Sequence, residues 1–298
     1  MKTLVIMLKR NIKLFFKDKG MFFTSLITPA ILLVLYATFL AKVYKDAFVS
    51  SLPVGFVLDE GIMNGLVGGQ LISSLLAVSC ITVAFCSNFL MVQDKANGTI
   101  KDLRIAPVKS SILSVSYYIA SFTSTLIICL IATVICLVYI GIIGWYMSFV
   151  DVLLLVLDVV ILSLFGTALS SVINYFLSTQ GQISAVGSIV SSCYGFICGA
   201  YMPISSFATG LQKVISFLPG TYGTALVRNH AMNGVLKEME KEGVPSQVVE
   251  SIMDSIDCNI YFFDNKVDIS SMYIILVVTV ALLVGGYIAL NMVKKKQK

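Results

Sequence analysis

The sequence predicts an all-α integral membrane protein: six transmembrane helices, an N-terminal amphipathic interfacial helix, and an outer re-entrant helical hairpin between spans five and six. Three observations lead there. Only 12% of the 298 residues are charged, 57% are hydrophobic, and the mean hydropathy is +0.92. A soluble domain carries about a quarter of its residues as Asp, Glu, Lys or Arg, and half that share cannot cover a water-soluble body of this size. Long apolar stretches recur, each near the roughly 20 residues a helix needs to cross a bilayer. The ten-residue alternating segments of an outer-membrane barrel are absent. A soluble enzyme, a secreted disulfide scaffold, a disordered chain and a nucleic-acid-binding domain are thereby excluded.

The first element is residues 1–20. On a helical wheel, Lys2, Lys9, Arg10, Lys13 and Lys17 share one sector, with Ile6 as an intruder, and Leu4, Leu8, Ile12, Phe15 and Phe16 lie opposite. Such a helix is expected in the cytoplasmic headgroup layer, entering the first span through Gly20. It is a membrane anchor, with or without an added docking surface for a cytoplasmic partner. Its apolar run, Thr3–Leu8, is too short for a signal peptide.

The six spans are read as Phe22–Ala41, Gln70–Gln93, Val115–Ile140, Val152–Ile173, Ile183–Met202 and Met272–Val293. Five of them lie in residues 21–203, with an inner loop at 94–114. Residues 204–271 form the outer hairpin and an acidic segment, and 272–298 the sixth span and a basic tail. With the N-terminus inside, 14 of the 21 Lys and Arg fall on inner segments. The positive-inside rule then puts both termini in the cytoplasm of a multi-pass protein of the cell membrane. Eight acids between Glu238 and Asp268 mark an aqueous outer face. Trp145, Tyr146, Tyr117 and Tyr118 read as interfacial anchors.

Chemistry-bearing motifs are sparse. No phosphate-binding Gly-x-x-x-x-Gly-Lys-Ser/Thr loop occurs, so the chain binds no ATP by that route. His230 is the only histidine, which removes histidine-based metal sites and triads; it reads as an ordinary polar loop residue. Cys80, Cys86, Cys129, Cys136, Cys193 and Cys198 lie within spans and Cys258 stands alone outside, with no zinc spacing or disulfide framework. Asp158 lies about two turns into span four. An acid at that depth is a substrate-attracting group or a structural acid bonded to Ser, Asn or Tyr of a neighbouring helix. Gly187, Ser191, Gly195 and Gly199 recur every four residues, a stripe that admits a helix of a second subunit or of the same one.

Two segments carry punctuation. In the inner loop, Gly98 permits a sharp turn, Thr99 and Asp102 have capping-box spacing, Ile100 and Leu103 share a face, and Pro107 ends the element. This is a short capped helix, or a surface loop with chance capping signals. After span five, Gly199 and Pro203 break the helix. An amphipathic turn, a Pro219–Gly220 break and a second short helix to Arg228 follow. They read as a hairpin dipping into the outer leaflet, or as a plain extracellular one. Further on, Ser246 is expected to cap a short amphipathic helix, SQVVESIMDSI.

Together these features resemble the permease subunits of ABC-2-type exporters. The inner-loop pattern is Asp94–Lys95, Gly98–Thr99, Leu103 and Pro107–Val108; the later one is Gly199, Pro203, Pro219, Tyr222, Gly223 and Arg228. The chain departs from that pattern at Lys101, where an acid is common, and at Ser116–Tyr117, where Gly-Lys is frequent. PVGFVLDEG near Pro53 looks like a trimmed strand of the outer domain of longer relatives.

The resemblance implies a transport subunit and not an enzyme, with no cofactor of its own. Gly98, Thr99, Ile100, Asp102, Leu103 and Pro107 would form a coupling helix seated on a separate ATPase that holds ATP and magnesium. The N-terminal helix would touch the same ATPase. Gly199 to Arg228 would form a re-entrant gate. Two permeases and two ATPases would make the working unit, with spans one and five along the path or the dimer seam. The expected cargo is a hydrophobic or amphipathic drug-, antibiotic- or toxin-like compound, or else a lipid-linked polysaccharide or teichoic-acid-type polymer. A proton-coupled carrier using Asp158 and a membrane sensor or scaffold are the readings from other classes.

Overall fold

The computed structural model describes residues 2–52, 58–105 and 110–296. Pro107 and most of the segment near Pro53 fall outside the described residues. Among those described, the chain is helical apart from turns and one two-residue hairpin.

Helix α1 is Lys2–Lys17. Asp18 accepts a hydrogen bond from Met21 N (3.0 Å) and so starts α2, Lys19–Leu35, with Pro29 in its interior. A π-turn at Tyr36–Leu40 leads into α3, Ala41–Ser51. The first apolar run is therefore longer than the predicted span, because nothing in 42–51 breaks a helix. Asp59 caps α4, Glu60–Ala96, which begins ten residues before the predicted span. Its early glycines lower helix propensity, but packing overrides them: a Cβ on Gly65 would stand 2.9 Å from the Tyr146 ring, and one on Gly69 2.8 Å from Met232.

Helices α5 (Thr99–Ile105), α6 (Ser110–Ile143) and α7 (Phe149–Phe176) follow. Ser148 and Asp151 form a capping box that opens α7. Helix α8, Gln180–Ile197, stops where Gly199 takes φ +73°, five residues before the predicted end of span five. Then come α9 (Thr209–Ile215), α10 (Pro219–Lys241), α11 (Ser246–Ser255), the strands β1 (Tyr261–Phe262) and β2 (Asn265–Lys266), and α12 (Ile269–Lys296).

Among the described residues, five helical runs are long and apolar enough to cross a membrane: Lys19–Ser50, Glu60–Ala96, Ser111–Ile143, Phe149–Phe176 and Ile269–Asn291. Helix α8 is shorter and more polar, carrying Gln180, Gln182 and several serines. Helix α4, buried along its middle, forms the axis of the bundle, with α2, α6, α7, α8 and α10 around it.

Four local expectations are corrected. Helix α10 is not a short helix ending at Arg228: Pro219 occupies its first turn and it continues to Lys241, threaded between α4, α7 and α12. Pro245, not Ser246, is the N-cap of α11, and it makes no side-chain capping bond. Helix α1 buries Met7, Asn11 and Phe15 against the bundle, while Val5, Ile6 and Phe16 are exposed. Its buried stripe is rotated from the predicted one because one edge meets α6 rather than lipid. Tyr117 is buried and bonded to Asp94, and Tyr146 packs over Gly61 and Gly65, so neither is a simple interfacial anchor.

Candidate functional site

The bundle has two ends, one carrying both chain termini and the other the α6–α7 turn and the acidic segment. At the termini end, Arg10 of α1 reaches Asp94 with both guanidinium nitrogens, Nη1 to Oδ2 at 2.8 Å and Nη2 to Oδ1 at 3.2 Å. Tyr117 donates to Asp94 from α6, and Arg10 also donates to Asn11 Oδ1 at 2.8 Å. Bidentate, charge-assisted geometry fixes orientation as well as contact. The hydrogen bond to Asp94 holds the Arg10 proton more tightly than usual.

The next residue, Lys95, turns the other way. Its Nζ donates to the carbonyls of Asn174, Tyr175 and Leu177 at 2.8–3.0 Å. These are acceptors at the negative end of α7, where a cation is favoured, and Asn174 O also takes the Leu177 N–H. Asp94 and Lys95 therefore tie the root of α5 to α1, α6 and α7.

Gly98 then turns the chain with φ +80°, and α5 begins at Thr99. Ile100 is buried and Leu103 packs against the core, whereas Asp102 and Ile105 are exposed. The helix thus sits on the bundle by one face and presents the other outward. Pro107 lies outside the described residues.

A cavity of about 1000 Å³ runs between α2, α4 and α8. Its termini end is framed by Asp18, Gly20 and Gln93, and its opposite end by Phe39, Leu40, Phe196 and Tyr201. Ser184, Ser188, Ser191 and Ser192 add hydroxyls to mainly apolar walls. Gly187 meets the Phe89 ring of α4, and a Cβ on Gly195 would stand 2.3 Å from the ring of Tyr201. Gly187 and Gly195 of the stripe thus serve contacts within this subunit, while the neighbouring Ser188, Ser192 and Phe196 remain exposed.

The residues around Arg228 converge at the far end. Pro203 precedes a 3₁₀ turn at Ile204–Ser206, and Pro219 opens α10. Tyr222 donates to Ser216 O at 2.5 Å, and Gly223 lets Leu162 of α7 approach within 2.5 Å of where its Cβ would be. Arg228 is fully buried; its Nη2 donates to Gly199 O at 2.8 Å, and its Nη1 lies 3.6 Å from Asp257 Oδ2. Asp257 Oδ2 also accepts from Ile204 N at 2.8 Å. Burial pushes the Asp257 carboxyl up to about 6 against the opposing pull of Arg228.

Asp158 is bonded to Tyr273 of α12 and lies 2.6 Å from His230 Nδ1. His230 is a buried residue of α10, not a loop residue. The tyrosine partner fits the structural alternative for Asp158, and neither residue is among those framing the cavity. One turn further along α10, Asn233 donates to Asp151 Oδ1 at 2.6 Å, so two polar rungs join α7 and α10. Arg10, Asp151, Asn233 and Asp257 were not picked out by sequence reasoning. Their cross-helix partners are 29 to 84 residues away, and no local spacing encodes such pairings.

The helical bundle, the turn at Gly98 before a short exposed helix, and the broken helix ahead of α10 are the features of a transport subunit. No curated protein matches the chain. The family model described as ABC-2 type transporter matches residues 2–231, and the chain belongs to that family of membrane permease components.

Proposed function

We propose that this chain is the permease half of an ATP-driven exporter that moves a hydrophobic or amphipathic compound outward across the cell membrane. Both termini lie in the cytoplasm. A separate ATPase, holding ATP and magnesium, docks on α5 and on the exposed edge of α1. Two permeases and two ATPases form the working unit, with the exposed face of α8 at the seam between permeases. The start of α10 dips into the outer leaflet as the re-entrant element.

One observation carries this reading. Gln93 frames the cavity, and the next residue, Asp94, is the one held by Arg10. A push on α1 and α5 therefore arrives directly at the cavity wall. The apolar lining with scattered serine hydroxyls suits an amphipathic cargo better than a polymer of sugars or phosphates.

The test is co-purification with the ATPase encoded beside this chain, together with substrate-stimulated ATP hydrolysis in proteoliposomes. Leu103→Ala and Gly98→Val are expected to reduce ATPase retention at least fivefold while the spans stay folded. Unchanged retention and turnover would sink the coupling assignment.

The buried Asp158–His230–Tyr273 cluster favours a second reading, a proton-coupled carrier. Uptake driven by a proton gradient in vesicles without ATPase, abolished by Asp158→Asn, would establish it and overturn the first.

A further inference from the structure

We infer that Asp257 is a positioning residue for the cavity: it clasps the chain reversal from Gly199 to Ile204 that closes the cavity's outer end. The inference rests on reading that cavity as the transport path. It also gives the acidic outer segment a role, which is to deliver this one carboxylate.

The geometry is a chain of contacts. Tyr201 frames the cavity end, its ring lies against Gly195, and its N–H, like that of Ala200, donates to Gly195 O. The reversal thus folds back onto the end of α8. Two residues before Tyr201, Gly199 sits at φ +73°, and its carbonyl accepts from buried Arg228. Three residues after Tyr201, Ile204 N donates to Asp257. Asp257 therefore grips the reversal directly at Ile204 and, through Arg228, at Gly199. A Cβ on Gly199 would stand 2.6 Å from Asp257 Oδ2, so the glycine serves both the backbone turn and the approach of the acid.

The clasp is reachable from outside. Asp257 borders a cleft of about 200 Å³ on the opposite side from the cavity, shared with Lys213 of α9, Asp254 of α11, and Tyr261 and Asp264 of the hairpin. With Arg228 behind it and Cys258 beside it, these are the charged and titratable groups around the carboxyl.

Cys198, buried at the end of α8, is a native reporter. Intact membranes carrying the full-length chain are treated from outside with an impermeant methanethiosulfonate at pH 7.5, and modification is read residue by residue by mass spectrometry. Asp257→Asn is expected to speed Cys198 modification at least tenfold, with buried Cys129 of α6 unchanged, and Asp257→Glu to restore protection. Equal Cys198 rates at pH 7.5, or a matching rise at Cys129, overturns the clasp. Neither arm needs ATP, ATPase or cargo, so a failed transport assay rejects the proposed function and leaves this inference standing.

Discussion

Arg10 and Asp94, 84 residues apart, meet through a two-point contact, and this joins the N-terminal helix to the last turn of α4. Asp94 is nearly buried and Arg10 only about a quarter exposed. Arg10→Ala leaves a buried carboxylate bonded to Tyr117. A loss of about 1–3 kcal/mol is expected, read as a lower melting temperature in detergent. Arg10→Lys keeps the charge but loses the fork, so it should recover only part. Equal stability of Arg10→Ala and wild type would show that the contact contributes nothing.

Lys95→Met retains most of the side chain's length and apolar stem while removing three donors to the end of α7. The carbonyls of 174, 175 and 177 then lose their cation. Destabilisation of about 1–3 kcal/mol is expected. Hydrogen exchange should rise selectively in the last turn of α7 and the first turn of α8. Uniform exchange across the chain would contradict this.

The pair of Asp158 and His230 behaves asymmetrically. His230→Ala removes one of the two side chains bonded to Asp158 and leaves Tyr273, and should cost about 1–3 kcal/mol. Asp158→Asn with His230→Gln keeps two neutral polar groups in contact and should cost much less than the single changes summed. A double-mutant cycle by thermal melting checks this, and additivity would mean that the two groups do not interact in the folded chain.

Asp257 gives a pH dependence with a definite sign. Its carboxyl holds a proton up to about 6 in the folded chain, whereas an unfolded Asp releases it near 3.9. The folded state binds the proton more tightly, so this group's contribution is full below about pH 4. It declines as pH rises through about 6 and is flat above. The difference is about 3 kcal/mol. Subtracting the melting curve of Asp257→Asn from wild type between pH 4 and 7.5 isolates it, because the other acids cancel. A difference that grows with pH would contradict the sign.

What the sequence revealed follows from which forces are local. Periodic apolar runs marked α2, α4, α6, α7 and α12, and Gly98 and Gly199 marked two of the turns where φ is positive. The start of α4 was hidden because Gly61, Gly65, Gly68 and Gly69 carry no apolar signal. They are helical because Tyr146, Ile143 and Met232 occupy the space their side chains leave. Gly234 is similar: a Cβ there would stand 2.0 Å from Tyr146 O, a constraint visible only when α10 and the α6–α7 turn are seen together. His230 was misplaced for the same reason. A lone histidine in a polar stretch looks like loop until α10 carries it to Asp158.

Helix α4 is 37 residues long and buried along its middle, and at about 1.5 Å per residue it extends about 55 Å. Asp94 and Lys95 load it near one end; Ser74, beside Arg228, and the glycines against Tyr146 and Met232 meet it toward the other. It contains no proline and no π-turn, unlike the run through Pro29 and Tyr36–Leu40 next to it. On the proposed reading, with an ATPase acting at the α5 end, α4 is a stiff push-rod beside a compliant strut, and its stroke would shear the cavity between them rather than dissipate along its own axis.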